Sequence, residues 1–139
     1  MERSASIHWL KDALYLIVNY FEGSGSAIPL LFTLKRAAPH EPVDLSAHIW
    51  LSVLYRAQVH DKRPYAINHW TYHYYVNFIQ DTGNTVILSS EPWYTRNGAT
   101  GPGIVKCYIY SVSKTTLRYQ SVREDYIDAC PRNRYEKWN

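Results

Sequence analysis

The chain has 139 residues and a formal net charge of +3, from 15 lysines and arginines against 12 aspartates and glutamates. About 100–200 residues are typical of one domain. A composition of 46% hydrophobic and 19% charged residues excludes a wholly disordered chain. No apolar run approaches the roughly 18 residues of a membrane-spanning helix, and a charge of +3 does not by itself indicate nucleic acid. The sequence therefore predicts a single domain over residues 1–139.

The first predicted element is an amphipathic helix over residues 5–22. Its apolar side chains recur at spacings of three and four, the period of a helix that buries one stripe; they are Ile7, Leu10, Leu14, Ile17, Val18 and Phe21. Ser4 or Ser6 can cap the first turn. Gly23 is expected to end this helix.

After Gly23 the apolar period changes to two, which is typical of strands. The pattern predicts strands over 28–37, 47–59, 67–80, 85–89 and 104–112, with a tight turn at 81–84 and a loop over 92–103. From residue 121 the chain is expected to be irregular or a short helix, and 114–139 is a candidate irregular tail. The predicted fold class is α+β, with the N-terminal helix packed on a four- to five-stranded antiparallel sheet.

The six histidines raise the question of a metal site. In a strand, His69 and His73 lie about 13 Å apart, because each residue advances about 3.3 Å. They cannot then bind one zinc ion together, and no cysteine or acidic residue is spaced to complete a site. We therefore predict no metal and no cofactor.

Acid–base catalysis is the alternative use of these histidines, as in a small ribonuclease that also needs a carboxylate and an arginine. Candidate residues exist, but no local motif connects them; they are His48, His60, His69, His73, Glu91, Arg56 and Arg96. A ribonuclease-like or RNA-binding domain, using His69, His73 and the basic residues, is thus the second hypothesis for function. For Cys107 we predict a buried, inert thiol, with a bridge to Cys130 as the alternative.

The predicted order of elements resembles the cystatin superfamily, including latexin-like proteins, over about residues 10–90. The resemblance rests on a helix that ends in Val18-Asn19-Tyr20, a strand over Ile28 to Ala37, and a long strand around His48 to Tyr55. Inhibitory cystatins carry a Gln-x-Val-x-Gly loop and a later Pro-Trp turn, which together enter the cleft of a papain-like protease.

In this chain the corresponding stretch is Glu41-Pro42-Val43-Asp44-Leu45, which keeps the valine, and the Pro-Trp turn is Pro92-Trp93. The resemblance implies a non-enzymatic binding protein. Rigid loops at one end of a sheet lose little entropy on binding, so the candidate contact residues are Glu41, Pro42, Val43, Asp44, Leu45, Pro92, Trp93 and Tyr94. An exposed sheet face rich in tyrosine and tryptophan is the other candidate surface.

The predicted function is therefore protein binding, as a protease inhibitor or a host-interaction or immune factor. The predicted partner is another protein, for which a papain-like protease is one candidate, and nucleic acid is the second class of partner. Long aromatic strands can also pair edge to edge into a homodimer. No signal peptide is recognised in this chain, so the expected location is intracellular, or outside the cell after processing.

Overall fold

A computed structural model describes residues 3–11, 14–22, 26–34, 41–61, 71–96, 99–100 and 106–126, with only the backbone for several strand ends, among them 71–75 and 92–96. The fold is α+β, with one helix and nine strands in the described part. The strands are β1 (Arg3–Trp9), β2 (Tyr15–Glu22), β3 (Ser26–Thr33), β4 (Val43–Asp44), β5 (Thr71–Asp81), β6 (Thr85–Arg96), β7 (Ala99–Thr100), β8 (Lys106–Ser113) and β9 (Tyr119–Tyr126), and the helix is α1 (Leu45–Asp61).

The strands form two antiparallel groups. In the first group β2 lies between β1 and β3, and the short β4 pairs with β3. The second group has the order β5-β6-β8-β9, with β7 paired to β6. A parallel pairing of Ser26 with Tyr74 and Ala27 with Tyr75 joins the two groups.

This parallel ladder stops just before Pro29, which has no N–H to donate to a neighbouring strand. Beyond it, the backbone N–H of Phe78 in β5 donates to the side-chain Oδ1 of Asn19 in β2, at 3.3 Å. Asn19 is opposite Pro29 in the β2–β3 register and is fully buried. A side chain thus supplies the acceptor where the backbone ladder has ended.

One hydrophobic core includes residues from both groups and from the helix. The helix contacts β3, β6 and β8, and it buries side chains one turn apart, namely Leu45, Ile49 and Val53. These meet strand residues that point to the same side of the sheet, among them Ile17, Leu31, Val76, Leu88 and Tyr110.

The prediction of a helix over residues 5–22 is wrong, because this segment forms the hairpin of β1 and β2. Apolar side chains occupy both faces of β2, and together with the apolar residues of β1 they give the spacings of three and four that were attributed to a helix. The β-branched and aromatic content of this stretch favours strands.

The predicted strand over 47–59 is also wrong, since these residues lie in α1. Apolar residues at every second position include pairs four apart, so the same pattern also fits a helix. The Asp44 carboxylate decides the start of the helix, because its Oδ1 accepts a hydrogen bond from the backbone N–H of Ser46 at 2.8 Å and so caps the first turn.

Two further predictions need correction. The predicted loop over 92–103 is partly strand, because β6 continues to Arg96 and Ala99–Thr100 forms β7. The segment from residue 121 was expected to be irregular or helical, yet β9 extends to Tyr126, and the later residues lie outside the described range. The strands β3, β5, β6 and β8, and the turn between β5 and β6, confirm the other predicted elements in outline.

Candidate interaction surface

The first predicted contact segment, Glu41 to Leu45, is a junction between a strand and a helix rather than a loop. Glu41 and Pro42 are exposed, and Val43 and Asp44 form β4. Asp44 caps α1, and Leu45 is fully buried as the first helical residue. Glu41 and Pro42 are therefore the accessible residues of this segment.

The second predicted segment, Pro92 to Tyr94, lies within β6 and not in a turn. In the register with β5, Pro92 is opposite Tyr74, Trp93 opposite His73, and Tyr94 opposite Tyr72. The side chains of these residues lie outside the described part of the structure. A contact role for the two segments stays a prediction.

The structure describes only part of the candidate set for acid–base chemistry. His48 lies on the exposed side of α1, His69 is outside the described range, and only the backbone of His73 is described, in β5. Arg56 is engaged with β9, because its Nη1 donates to Glu124 Oε1 at 2.7 Å. Among the described residues, no three His, Cys, Asp or Glu side chains are grouped so that they could hold a metal ion.

The prediction of a free thiol at Cys107 is wrong. Cys107 is disulfide-bonded and fully buried. The alternative given by the sequence was a bridge to Cys130, which lies outside the described residues.

An apolar surface covers the outer side of β1, β2 and β3, facing away from the core. Successive residues of a strand point to opposite sides, and the cross-strand register aligns the outward residues in three rows. We call this surface the open face; its rows are Ala5–Tyr20–Ile28, Ile7–Val18–Leu30 and Trp9–Leu16–Phe32. Among the outward positions whose side chains are described, every residue is apolar or aromatic.

Solvent reaches each row of the open face. Trp9 is 67% exposed and Ile7 is 63% exposed, and the residues of β2 and β3 on this face are partly exposed. Exposed Leu14 and Leu34 extend the surface beyond the Trp9 row, where the backbone N–H of Leu34 donates to the Leu14 carbonyl at 2.8 Å. Contiguous exposed apolar surface of this kind is rare in soluble monomers and is typical of interaction sites.

The outward side of the second group of strands differs from the open face. There Cys107 and Ile109 of β8 are almost completely buried, with Ile87 of β6 packed against them. The two groups thus have different exposure on the side away from the helix. The open face is a local property of β1 to β3 and does not extend over the whole sheet.

A buried ion pair fixes the end of the open face nearest Trp9. Lys114 Nζ, in the turn after β8, lies 2.8 Å from Asp81 Oδ1, with side-chain exposures of 3% and 8%. The other oxygen of Asp81 accepts from the backbone N–H of Lys11 at 2.7 Å, in the turn between β1 and β2. Asp81 therefore connects the turn of the first hairpin to the second group of strands.

Two titratable groups near this surface have shifted pKa values. Burial alone would raise the pKa of Asp81, but hydrogen bonds from the Lys11 and Gly83 amides and the ammonium of Lys114 outweigh it and lower the pKa below 3.8. Burial lowers the pKa of His8 below 6.5, where its ring packs against Phe78 at 4.9 Å between ring centroids. The shift at Asp81 favours the charged carboxylate at neutral pH, and the shift at His8 favours the uncharged imidazole.

A second, narrower apolar strip follows the solvent side of α1. Leu51, Tyr55 and Val59 are spaced by four residues and are exposed, with Leu51 at 76%. Residues four apart lie on one side of a helix. This strip is one residue wide, whereas the open face is three strands wide.

Comparisons with known proteins yield no match to a family model, a curated protein or a solved structure. No helix in the described part of the chain combines the length and apolar character needed to cross a membrane. The surface has therefore to be interpreted from its own chemistry.

Sequence reasoning anticipated an exposed aromatic sheet face but did not place it on residues 5–34. A usable signal was present in Ala5-Ser6-Ile7-His8-Trp9, where apolar and polar residues alternate as in a strand. The helical assignment of 5–22 concealed this signal. The two loops were favoured instead because they matched the cystatin pattern.

Proposed function

We propose that this protein is a non-enzymatic binding protein and that the open face is its principal contact surface. The observation that carries the proposal is the set of three cross-strand rows, all apolar or aromatic and all partly exposed. Leaving such a surface in water is unfavourable by about 25 cal/mol for each Å² of apolar area. Association with a partner removes that area from water.

The composition of the face supports contact with a protein. Tryptophan and tyrosine are frequent among the residues that dominate binding energies, and Trp9 offers a large, exposed ring. The antiparallel strands hold the rows in place before binding, which reduces the entropy lost on association. Inhibition of a papain-like protease through Glu41, Pro42 and the Pro92–Tyr94 segment, with a relationship to the cystatins, is a narrower form of the binding-protein hypothesis that uses a different surface.

A site-specific photo-crosslinking experiment tests the proposal. A benzophenone amino acid is placed at position 7 on the open face, and in a matched control at position 51 on the exposed side of α1. Both positions are more than half exposed, so the chain is expected to fold in each case. After irradiation of the purified protein and of the protein in an extract of its source organism, adducts should form from position 7 and be much weaker from position 51.

Absence of adducts from position 7, or equal yields from the two positions, would exclude the open face as the principal contact surface. Inhibition of papain is measured separately on the unmodified chain. Lack of inhibition at high concentration removes the narrower hypothesis and leaves the open face as the contact surface.

A further inference from the structure

We infer that the partner of the open face is a second copy of this chain, and that two open faces pack against each other in a symmetric dimer. This inference rests on the proposed function, because it names the partner of the same surface. The dimer differs from the edge-to-edge pairing that the sequence suggested, since the contact is made by the faces of the strands.

The chemistry of the face favours a copy of itself over an unrelated protein. Interfaces between proteins that also exist apart are about as apolar as the rest of a protein surface, whereas homodimer interfaces are more apolar. The outward positions of β1 to β3 whose side chains are described are all apolar or aromatic. Rows without charged side chains also meet their own copies without opposing like charges, which a two-fold axis would otherwise bring together.

The available area agrees with what a stable dimer needs. Large side chains present about 200 Å² each when fully exposed. With Trp9 at 67%, Ile7 at 63% and the remaining rows partly exposed, the open face and the flanking Leu14 and Leu34 offer roughly 700 Å². A standard interface buries about 800 Å² on each partner. The face therefore suffices for a specific dimer, with little left over for a second partner on the same surface.

The arrangement of helix and sheet layers in the fold also favours a dimer. Sheets with two apolar faces are normally covered on both sides. The inner side of β2 and β3 contributes Ile17 and Leu31 to the core that α1 completes, while the outer side lacks such a cover in the described part of the chain. In the dimer, the sheet of the second copy, packed about 10 Å away, covers this outer side. Val18 lies in the middle row of the middle strand and is expected near the two-fold axis.

Analytical ultracentrifugation over a wide range of concentrations tests the dimer. The unmodified chain is expected to sediment as a dimer at high concentration and to dissociate reversibly on dilution. Ile7→Lys and Trp9→Lys each place a charge in the contact and should raise the dissociation constant at least tenfold. The matched control Leu51→Lys, on the exposed side of α1, should leave it within about twofold.

A charge-complementation experiment separates loss of the contact from loss of folding. Ile7→Lys and Ile7→Glu copies should each be monomeric at concentrations where the unmodified chain is a dimer. An equimolar mixture of the two should form mixed dimers, because the contact then contains opposite charges instead of like charges. Misfolded variants could not regain association on mixing.

The outcomes distinguish this inference from the proposed function. A chain that remains monomeric at every concentration, or one whose association ignores both lysine variants, overturns the dimer. If the position-7 crosslinker then yields adducts of another mass in the extract, the open face is a contact surface for a different protein. Adducts with the mass of two chains, formed by the purified protein and lost in Trp9→Lys, support the dimer.

Discussion

At the scale of single residues, the ion pair of Asp81 and Lys114 is a buried contact that joins the first hairpin to the second group of strands. Both side chains are buried, and Asp81 also accepts hydrogen bonds from the backbone N–H groups of Lys11 and Gly83. Charges taken out of water are tolerated only with close partners of opposite charge. Removal of one partner is therefore far more harmful than removal of both.

We expect Asp81→Asn to lower the free energy of unfolding by about 3–5 kcal/mol, because it removes the carboxylate charge 2.8 Å from the buried Lys114 ammonium. Urea denaturation followed by circular dichroism measures the loss. The matched control is Asp125→Asn, which removes an ion pair with Arg123 of the same 2.8 Å length at a more exposed site. That loss should be about 0–1 kcal/mol.

Addition of Lys114→Met to Asp81→Asn should recover part of the lost stability, since the buried ammonium is then removed together with the carboxylate. Equal losses for Asp81→Asn and Asp125→Asn would contradict the account of the buried pair.

At the scale of elements, the start of α1 depends on a single side chain. Asp44 Oδ1 accepts hydrogen bonds from the backbone N–H of Ser46 at 2.8 Å and of Ala47 at 3.4 Å. The first N–H groups of a helix have no partner within the helix, so this carboxylate satisfies donors that the fold would otherwise leave unpaired.

Asp44→Ala should lower the free energy of unfolding by about 1 kcal/mol, whereas Asp44→Asn or Asp44→Ser should retain most of the cap. The exposed Glu41→Ala serves as the control and should have little effect. Thermal and urea denaturation provide the comparison. A loss for Glu41→Ala as large as that for Asp44→Ala would contradict the cap.

How far the sequence predicted these elements depends on whether the spacing of their apolar residues fits only one kind of secondary structure. In β8, successive residues point to opposite sides of the sheet and the sequence on either side has turn-forming residues. The predicted strand over 104–112 therefore nearly matches β8. In β2 both faces are apolar, and its apolar residues together with those of β1 gave spacings of three and four that resembled a helix. In α1, buried Ile49 and Val53 alternate with exposed Leu51 and Tyr55, and this pattern resembled a strand.

The sequence indicated an exposed aromatic surface but not its position. An excess of tyrosine and tryptophan is typical of contact surfaces, and the structure places the exposed Trp9 on the open face. The rows of the open face depend on cross-strand register, such as Ile7 beside Val18 and Val18 beside Leu30. Register is set by tertiary pairing, so residues distant along the chain become neighbours in ways that local pattern does not reveal.

At the scale of the whole molecule, acid should weaken the fold in two steps. His8 has a folded pKa below 6.5 and Asp81 one below 3.8. In both cases the unfolded chain binds the proton more readily, so stability is fully present above the unfolded pKa and falls as the pH decreases through the folded one. The first loss should begin near pH 6.5 and the second near pH 3.8.

Urea denaturation at a series of pH values measures both steps. His8→Gln should remove most of the upper step and Asp81→Asn most of the lower one. If the difference in stability between the unmodified chain and His8→Gln does not vary with pH, the assignment of the upper step to His8 is wrong.

The first three strands are held to the second group along their length: by the backbone pairing of Ser26 and Ala27 with β5 at one end, by the Phe78 amide on Asn19 Oδ1 in the middle, and by the Lys11 amide on the Asp81 carboxylate at the other end. A segment fixed at one end can peel off gradually, but one fixed at both ends can only detach all at once. Brief excursions that expose the inner side of this segment should accordingly be as rare as complete unfolding, which limits the chance that proteases or aggregating neighbours gain access to it.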